Sequence, residues 1–194
     1  FDGGNSVYSA GAAATARANI ISTDSWTITD GGVAADTTNP TLSSSSPADN
    51  ATGVALSSNI VLTFSEAVDV ESGNITIKKT SDDSTIATID VTSDLVTGTG
   101  TTTITVNPSS DLPDSTEYYV LIDTTAFDDP SGNSYAGITS TTALSFSVVD
   151  TTSPTMTITA SEVSDGDTST DSTLVLTFTS NEVTTDFTLS DITV

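Results

Sequence analysis

Asn59-Ile-Val-Leu-Thr-Phe-Ser-Glu66 alternates apolar and polar side chains over the length of a strand, and the chain repeats it as Thr173-Leu-Val-Leu-Thr-Phe-Thr179, followed by Asn181-Glu182. In a strand successive side chains point to opposite faces, so Ile60, Leu62 and Phe64 share one side while Val61 and Thr63 take the other. A second pair, Asp36-Thr-Thr-Asn-Pro40 and Asp150-Thr-Thr-Ser-Pro154, keeps the same distance: 150 − 36 = 114, 154 − 40 = 114 and 178 − 64 = 114. Two unrelated motifs with one offset indicate a tandem repeat of whole domains. The period is well above the ~20–50 residues of solenoid repeats. The stretches bound three segments: 1–35, a domain at 36–150, and the start of a second, incomplete domain at 151–194.

Charge narrows the partners. The 194 residues carry 26 acidic and 3 basic side chains, a formal net charge of −23. Such a chain repels nucleic acid and anionic membrane surfaces and attracts cations. Apolar residues still reach 35% and fall in alternating runs, so a core can form. With no cysteine and no histidine, a disulfide scaffold is excluded, as is a zinc, iron or copper site built on those residues. No apolar run approaches the ~18 residues of a membrane span. Ser and Thr dominate the polar positions, a composition we read as extracellular or cell-surface. The chain opens on Phe1 and reads as a mature or excised fragment.

Residues 9–22 are Ala-rich, with Ala13, Ala16, Ile20 and Ile21 near helical spacing, which predicts one short amphipathic helix. Ser25-Trp-Thr-Ile-Thr-Asp30 alternates like a strand before Gly31-Gly32. Between Thr41 and Val149 seven strands are predicted: one opening at Leu42, then Ile60–Phe64, Ile75–Ile77, Ile86–Val91, Thr102–Val106, Tyr118–Ile122 and Leu144–Val148. Gly, Pro, Asn and Asp fall between them as turn formers. Seven short strands in about 110 residues predict a mainly β, antiparallel Ig-like sandwich. Tyr118-Tyr119 is expected to put one ring in the core and one outside. In the second domain, strands are expected at Thr155–Ala160, Leu174–Thr179 and Phe187–Val194. Three strands leave an open edge, to be closed by further chain or by neighbouring chains through strand addition.

Two resemblances add to this. Pro40-Thr-Leu, Ser46-Pro-Ala-Asp, Asn59 to Val68, Thr116-Glu-Tyr-Tyr-Val120 and Asp129-Pro-Ser-Gly-Asn133 resemble the S-layer-type bacterial Ig-like domain. That family implies extracellular multidomain proteins: S-layers, adhesins and surface stalks. Phe1-x-Gly-Gly-Asn-Ser-x-Tyr-Ser9, Ala16-Arg17 and Trp26-Thr-Ile-x-Asp-Gly-Gly32 resemble the closing unit of BspA-type leucine-rich-repeat surface proteins. The implication is a solenoid cap at 1–32.

Strand parity sorts the loops onto two poles. Asp36, Glu66, Asp69, Glu71, Asp123, Asp128 and Asp129 gather at the first, with Asn133; Asp49, Asp82, Asp83, Asp111, Asp114 and Asp150 at the other, with Asp150 facing Asn181, Glu182 and Asp186. Oxygen ligands without nitrogen or sulfur competitors suit Ca²⁺, which takes ~6–8 oxygens from flexible loops. Glu66, Asp123, Asp128 and Asp129 are the first-choice ligands, with Asp36 and Asp150 at the domain junctions. Read plainly, each of these acids is also a normal solvated turn residue. Asp165-Gly-Asp167 with Asp171 lacks the spacing of a helix–loop–helix calcium site. No serine is backed by a histidine, the acids lie in exposed loops rather than a dry cleft, and no enzyme is read here. Asn50-Ala-Thr52 and Asn74-Ile-Thr76 fit the N-glycosylation pattern, so glycans join the expected partners, beside neighbouring Ig-like domains or identical chains. The expected role is an extracellular structural or adhesive fragment, a stalk or filament building block stiffened by calcium. The alternative is an accessory module of a secreted polysaccharide-active enzyme.

Overall fold

A computed structural model describes residues 1–193. The chain divides into two compact units, Phe1–Val149 and Asp150–Val194.

The first unit contains two five-stranded sheets that share one core. The strands are β1 (Leu42–Ser46), β2 (Ala51–Val54), β3 (Ile60–Val70), β4 (Asn74–Lys79), β5 (Thr85–Asp90), β6 (Val96–Thr97), β7 (Thr101–Val106), β8 (Glu117–Ile122), β9 (Phe127–Asp128) and β10 (Ser145–Val148). One sheet has the order β1-β3-β7-β6, with β9 also paired to β3; the other runs β2-β10-β8-β4-β5. All pairings are antiparallel except β2 with β10. Ile60, Leu62 and Phe64 face inward from β3, with Ile104 and Val106 beside them on β7. Ile75, Ile77, Tyr118, Val120, Ile122 and Phe146 answer from the second sheet. The period of two therefore fills the core as the sequence suggests.

Ten strands replace the expected seven. The three additions, β2, β6 and β9, are too short to show a period. The chain moves from the first sheet to the second through Ser46–Asn50, where the Ser46–Pro47 peptide is cis. There the Asp49 carboxylate accepts the Ser145 N–H at 2.9 Å, and the Asn50 N–H donates to the Ser145 carbonyl at 2.8 Å. Between β6 and β7, Gly98 sits at φ 106° and a Cβ there would overlap the Thr103 carbonyl oxygen. Only glycine closes that hairpin without displacing β7. Tyr119 departs from expectation: it is buried like Tyr118, and its hydroxyl donates to Asp83 Oδ1 at 2.9 Å.

The N-terminal segment forms helix α1 (Ala12–Asp24), none of whose residues is fully buried. The strand expected at Ser25–Asp30 is reduced to a single bridge residue, Thr29, which pairs in parallel with Asp2; Tyr8 pairs likewise with Val33. Arg17 closes the helix onto this ladder. It donates to Asp30 at 2.7 and 3.2 Å and to the Ile28 carbonyl at 3.1 Å, and its guanidinium lies over the Tyr8 ring.

The second unit is an antiparallel hairpin of β11 (Met156–Ala160) and β12 (Leu176–Ser180). The third strand expected at 187–194 does not form among the described residues; Leu189–Asp191 makes a 3₁₀ turn instead, capped by Thr188. Val194 lies outside the described residues. Phe187 packs against Phe178 with ring centroids 5.3 Å apart, so the aromatic that would have begun the strand turns back onto the hairpin.

Leu62 is fully buried while Thr63 lies on the outer face. Leu62→Ala is expected to cost about 2–5 kcal/mol, and Thr63→Ser about 0.5 kcal/mol or less. Urea unfolding midpoints of the two variants measure the difference.

Candidate metal site

The pairing of β3 with β7 loses its register between Thr63 and Val68 and resumes where Val68 meets Thr101. At its end β3 takes a further partner, and Asp69 and Val70 pair with Asp128 and Phe127 of β9. Residues 65–67 fall in this gap. Ser65 turns to the linker, exchanging hydrogen bonds with Thr41: its N–H donates to the Thr41 carbonyl at 2.8 Å, and its Oγ accepts the Thr41 N–H at 3.0 Å. The neighbouring Glu66 is half-buried and meets carboxylates from two other segments. Ligand oxygens of Asp36, Glu66 and Asp129 all lie within 4.8 Å of one another.

Each of the three is delivered differently. Asp36 lies in the exposed linker, its Oδ1 accepting the Thr38 N–H at 3.0 Å. Glu66 rides on β3. Asp129 heads the turn Asp129-Pro-Ser-Gly-Asn133 and is only 3% exposed. Its Oδ1 accepts the N–H groups of Ser131 and Asn133, both at 2.8 Å, and its Oδ2 accepts the Asn133 side-chain amide at 2.8 Å. Aromatic packing ties this turn to the core beside Glu66: the Phe64 ring sits 5.4 Å from Phe127 and 5.1 Å, edge-on, from Tyr135.

The electrostatics split the two less exposed acids. Hydrogen bonds from the Asn133 side chain and from backbone N–H groups hold the Asp129 carboxyl below its usual range, against the opposing effect of burial. Burial pushes the Glu66 carboxyl upward, and the Asp36 and Asp129 charges push it further. The three basic residues are Arg17, Lys78 and Lys79, and none takes part in the cluster. Three hard oxygen donors from a linker, a strand and a turn suit a divalent cation such as Ca²⁺.

Of the sequence-predicted ligands, Glu66, Asp129 and Asp36 come together, and Asp123 and Asp128 do not join them. Asp123 Oδ2 accepts the Asn74 N–H at 2.8 Å, bracing the start of β4. Asp128 sits on β9 opposite Asp69. Asp150 belongs to the second unit, where its Oδ1 accepts the Thr152 N–H at 3.0 Å. The strand predicted at Ile60–Phe64 runs on to Val70, and Asp129 is buried rather than solvated, because its own turn supplies the N–H donors. At the other pole, Asp49, Asp82 and Asp83 cap Ser145, Ser84 and the Tyr119 hydroxyl. Of the two sequons, Asn50 is exposed and Asn74 half-buried at the start of β4.

Residues 36–148 match the bacterial Ig-like domain family, and the chain belongs to it. The crystal structure of the S-layer protein rSbsC(31-844) is similar at 20% identity and a TM-score of 0.39, over 64% of this chain and 15% of that one. No curated protein matches the chain. No helix among the described residues is long and apolar enough to cross a membrane.

A raised folded-state pKa means that Glu66 contributes most to stability while protonated, and that this contribution is lost as pH rises through the folded value. Glu66→Gln is therefore expected to raise the melting temperature in chelator at neutral pH, with the gain vanishing once the solution is acid enough to protonate the wild-type carboxyl. Asp129→Asn runs the other way: its lowered value gives stability at neutral pH that is lost as pH falls. Thermal unfolding of both variants from acid to neutral pH checks the pair.

Proposed function

We propose that the chain is a structural or adhesive segment of an extracellular, cell-surface protein, with Ig-like modules in series forming a stalk or filament whose module starts are stiffened by Ca²⁺. The carrying observation is the convergence of Asp36, from the linker, with Glu66 and Asp129, from the body of the module it leads into. An ion there ties the linker to the sandwich and relieves the repulsion among the three acids. Its effect is mechanical, and no reaction is assigned.

The tandem repeat supports the same reading. Asp150 stands five residues before Thr155 as Asp36 does before Thr41. In the second unit Asn181 takes the part of Ser65: its N–H donates to the Thr155 carbonyl at 3.1 Å and its Oδ1 accepts the Thr155 N–H at 2.6 Å. Glu182 follows it as Glu66 follows Ser65, so the second unit carries the beginnings of the same site. Membership of the bacterial Ig-like family fits the surface setting. The partners on this reading are neighbouring Ig-like domains or identical chains. In the second unit Ile158, Val175 and Leu176 are 59%, 57% and 48% exposed, an apolar surface that strands from such a neighbour would cover.

Thermal unfolding of the full chain, in chelator and then in millimolar Ca²⁺, tests the ion. Linkage gives a stabilisation of about 2.7 kcal/mol at a hundredfold excess over the dissociation constant. The rise is expected to exceed that from Na⁺ at equal ionic strength and to be absent in Glu66→Gln. Equal melting temperatures in Ca²⁺ and the ionic control would contradict an ion at this cluster.

A further inference from the structure

We infer that Asp36–Thr41 is a strap held onto the first sandwich by hydrogen bonds within the chain, and that Asp150–Thr155 is its repeat, so that each module grips the segment leading into it without needing an ion. Four hydrogen bonds run from strap to sandwich. The Asn133 side-chain amide donates to the Asp36 carbonyl at 3.3 Å, and the Asn39 side-chain amide donates to the Ser134 carbonyl at 2.7 Å. Thr41 exchanges its N–H and carbonyl with Ser65 at 3.0 and 2.8 Å. A fifth bond, Thr38 N–H to Asp36 Oδ1, sets the strap's own turn. Pro40 is buried between these anchors, and its ring fixes φ where freedom would otherwise remain.

A segment of this composition is ordinarily a hinge. Here its backbone is pinned at both ends and once in the middle, and the pins come from three parts of the fold: the turn after β9, its neighbour Ser134, and the residue at the register break in β3. The second unit reproduces the turn and the final pin: Thr152 N–H to Asp150 Oδ1 at 3.0 Å, and Thr155 with Asn181 at 2.6 and 3.1 Å. The sequence offset shows that the pin is retained across a change in length. Thr41 to Thr155 is 114, whereas Ser65 to Asn181 is 181 − 65 = 116. Two extra residues lie between Phe178 and the oxygen-bearing side chain, yet that side chain accepts the same N–H. Asn39 has its counterpart in Ser153.

Backbone ¹⁵N relaxation on the full chain in chelator tests the strap apart from any ion. Order parameters for residues 36–41 are expected near the ~0.85 of a rigid backbone. In Asn39→Ala/Ser65→Ala those of 36–40 should fall below about 0.6, while β4 and β8 keep theirs. Asn181→Ala should loosen 150–154 and leave 36–41 unchanged. Asn39→Ala alone removes only an exposed side chain and serves if the double variant does not fold; it should loosen 37–40. Order parameters below about 0.6 across 36–40 in the unaltered chain, or no change in the variants, would overturn the strap. Because chelator is present throughout, a Ca²⁺ effect on melting can fail while the strap stands, and the reverse.

Discussion

The register break in β3 is the constraint on which the first module depends. Up to Thr63 the strand is an ordinary member of its sheet, with Ile60 and Leu62 inward and β7 alongside. Had the ladder continued unbroken, residues 65–67 would have been paired with β7, and their positions would have been dictated by the sheet. The break releases them. On the opposite edge Ser65 carries the β1 pairing on to Thr41 of the linker, and Glu66 meets carboxylates from outside the ladder. Pairing resumes on β7 at Val68 and is joined by β9 at Asp69 and Val70, which brings the turn beginning at Asp129 to the same place. One strand thus links core, linker and acidic cluster.

Stability at this junction is a balance of opposing terms. Burial of Phe64, Phe127 and Tyr135 holds the turn against β3, and such apolar contact is the dominant favourable term in folding. Against it stands the crowding of three carboxylates in a chain of net charge −23. Asp129 is compensated by its own turn, since three N–H donors satisfy its carboxylate and make its ionised form the stable one. Among the described residues no such donors are seen at Glu66, and burial, with the Asp36 and Asp129 charges, raises its pKa.

Much of the sandwich was legible in the sequence because its core obeys a period of two; Ile60 to Phe64, Tyr118 to Ile122 and Leu144 to Val148 lie in or beside the strands their alternation implied. What escaped was structure with no period to read. β6 and β9 are two residues each and exist only because a longer strand pairs with them. Ser25–Asp30 alternates but has only a short ladder to join, and Phe187 finds an aromatic partner in Phe178 instead of a neighbouring strand. Within the acidic pole, loop parity named the segments that carry Asp36, Glu66 and Asp129 but could not rank their members. Asp123 and Asp129 look alike as turn residues; one braces the start of β4, and the other is buried by bonds from within its own turn. The Asp-Pro-Ser-Gly-Asn pattern was the available signal, since an aspartate followed two and four residues later by open N–H groups can cap itself.

The most direct measurement is a two-dimensional ¹H–¹⁵N titration of the full chain with Ca²⁺ at constant ionic strength. An ion bridging linker, strand and turn predicts saturable shifts confined to residues 36–41, 65–67 and 129–134, with a smaller set around 150–155 and 181–182, and their loss from the first set in Glu66→Gln. Weak, non-saturating shifts spread over all the acidic turns, matched by Na⁺, would contradict it.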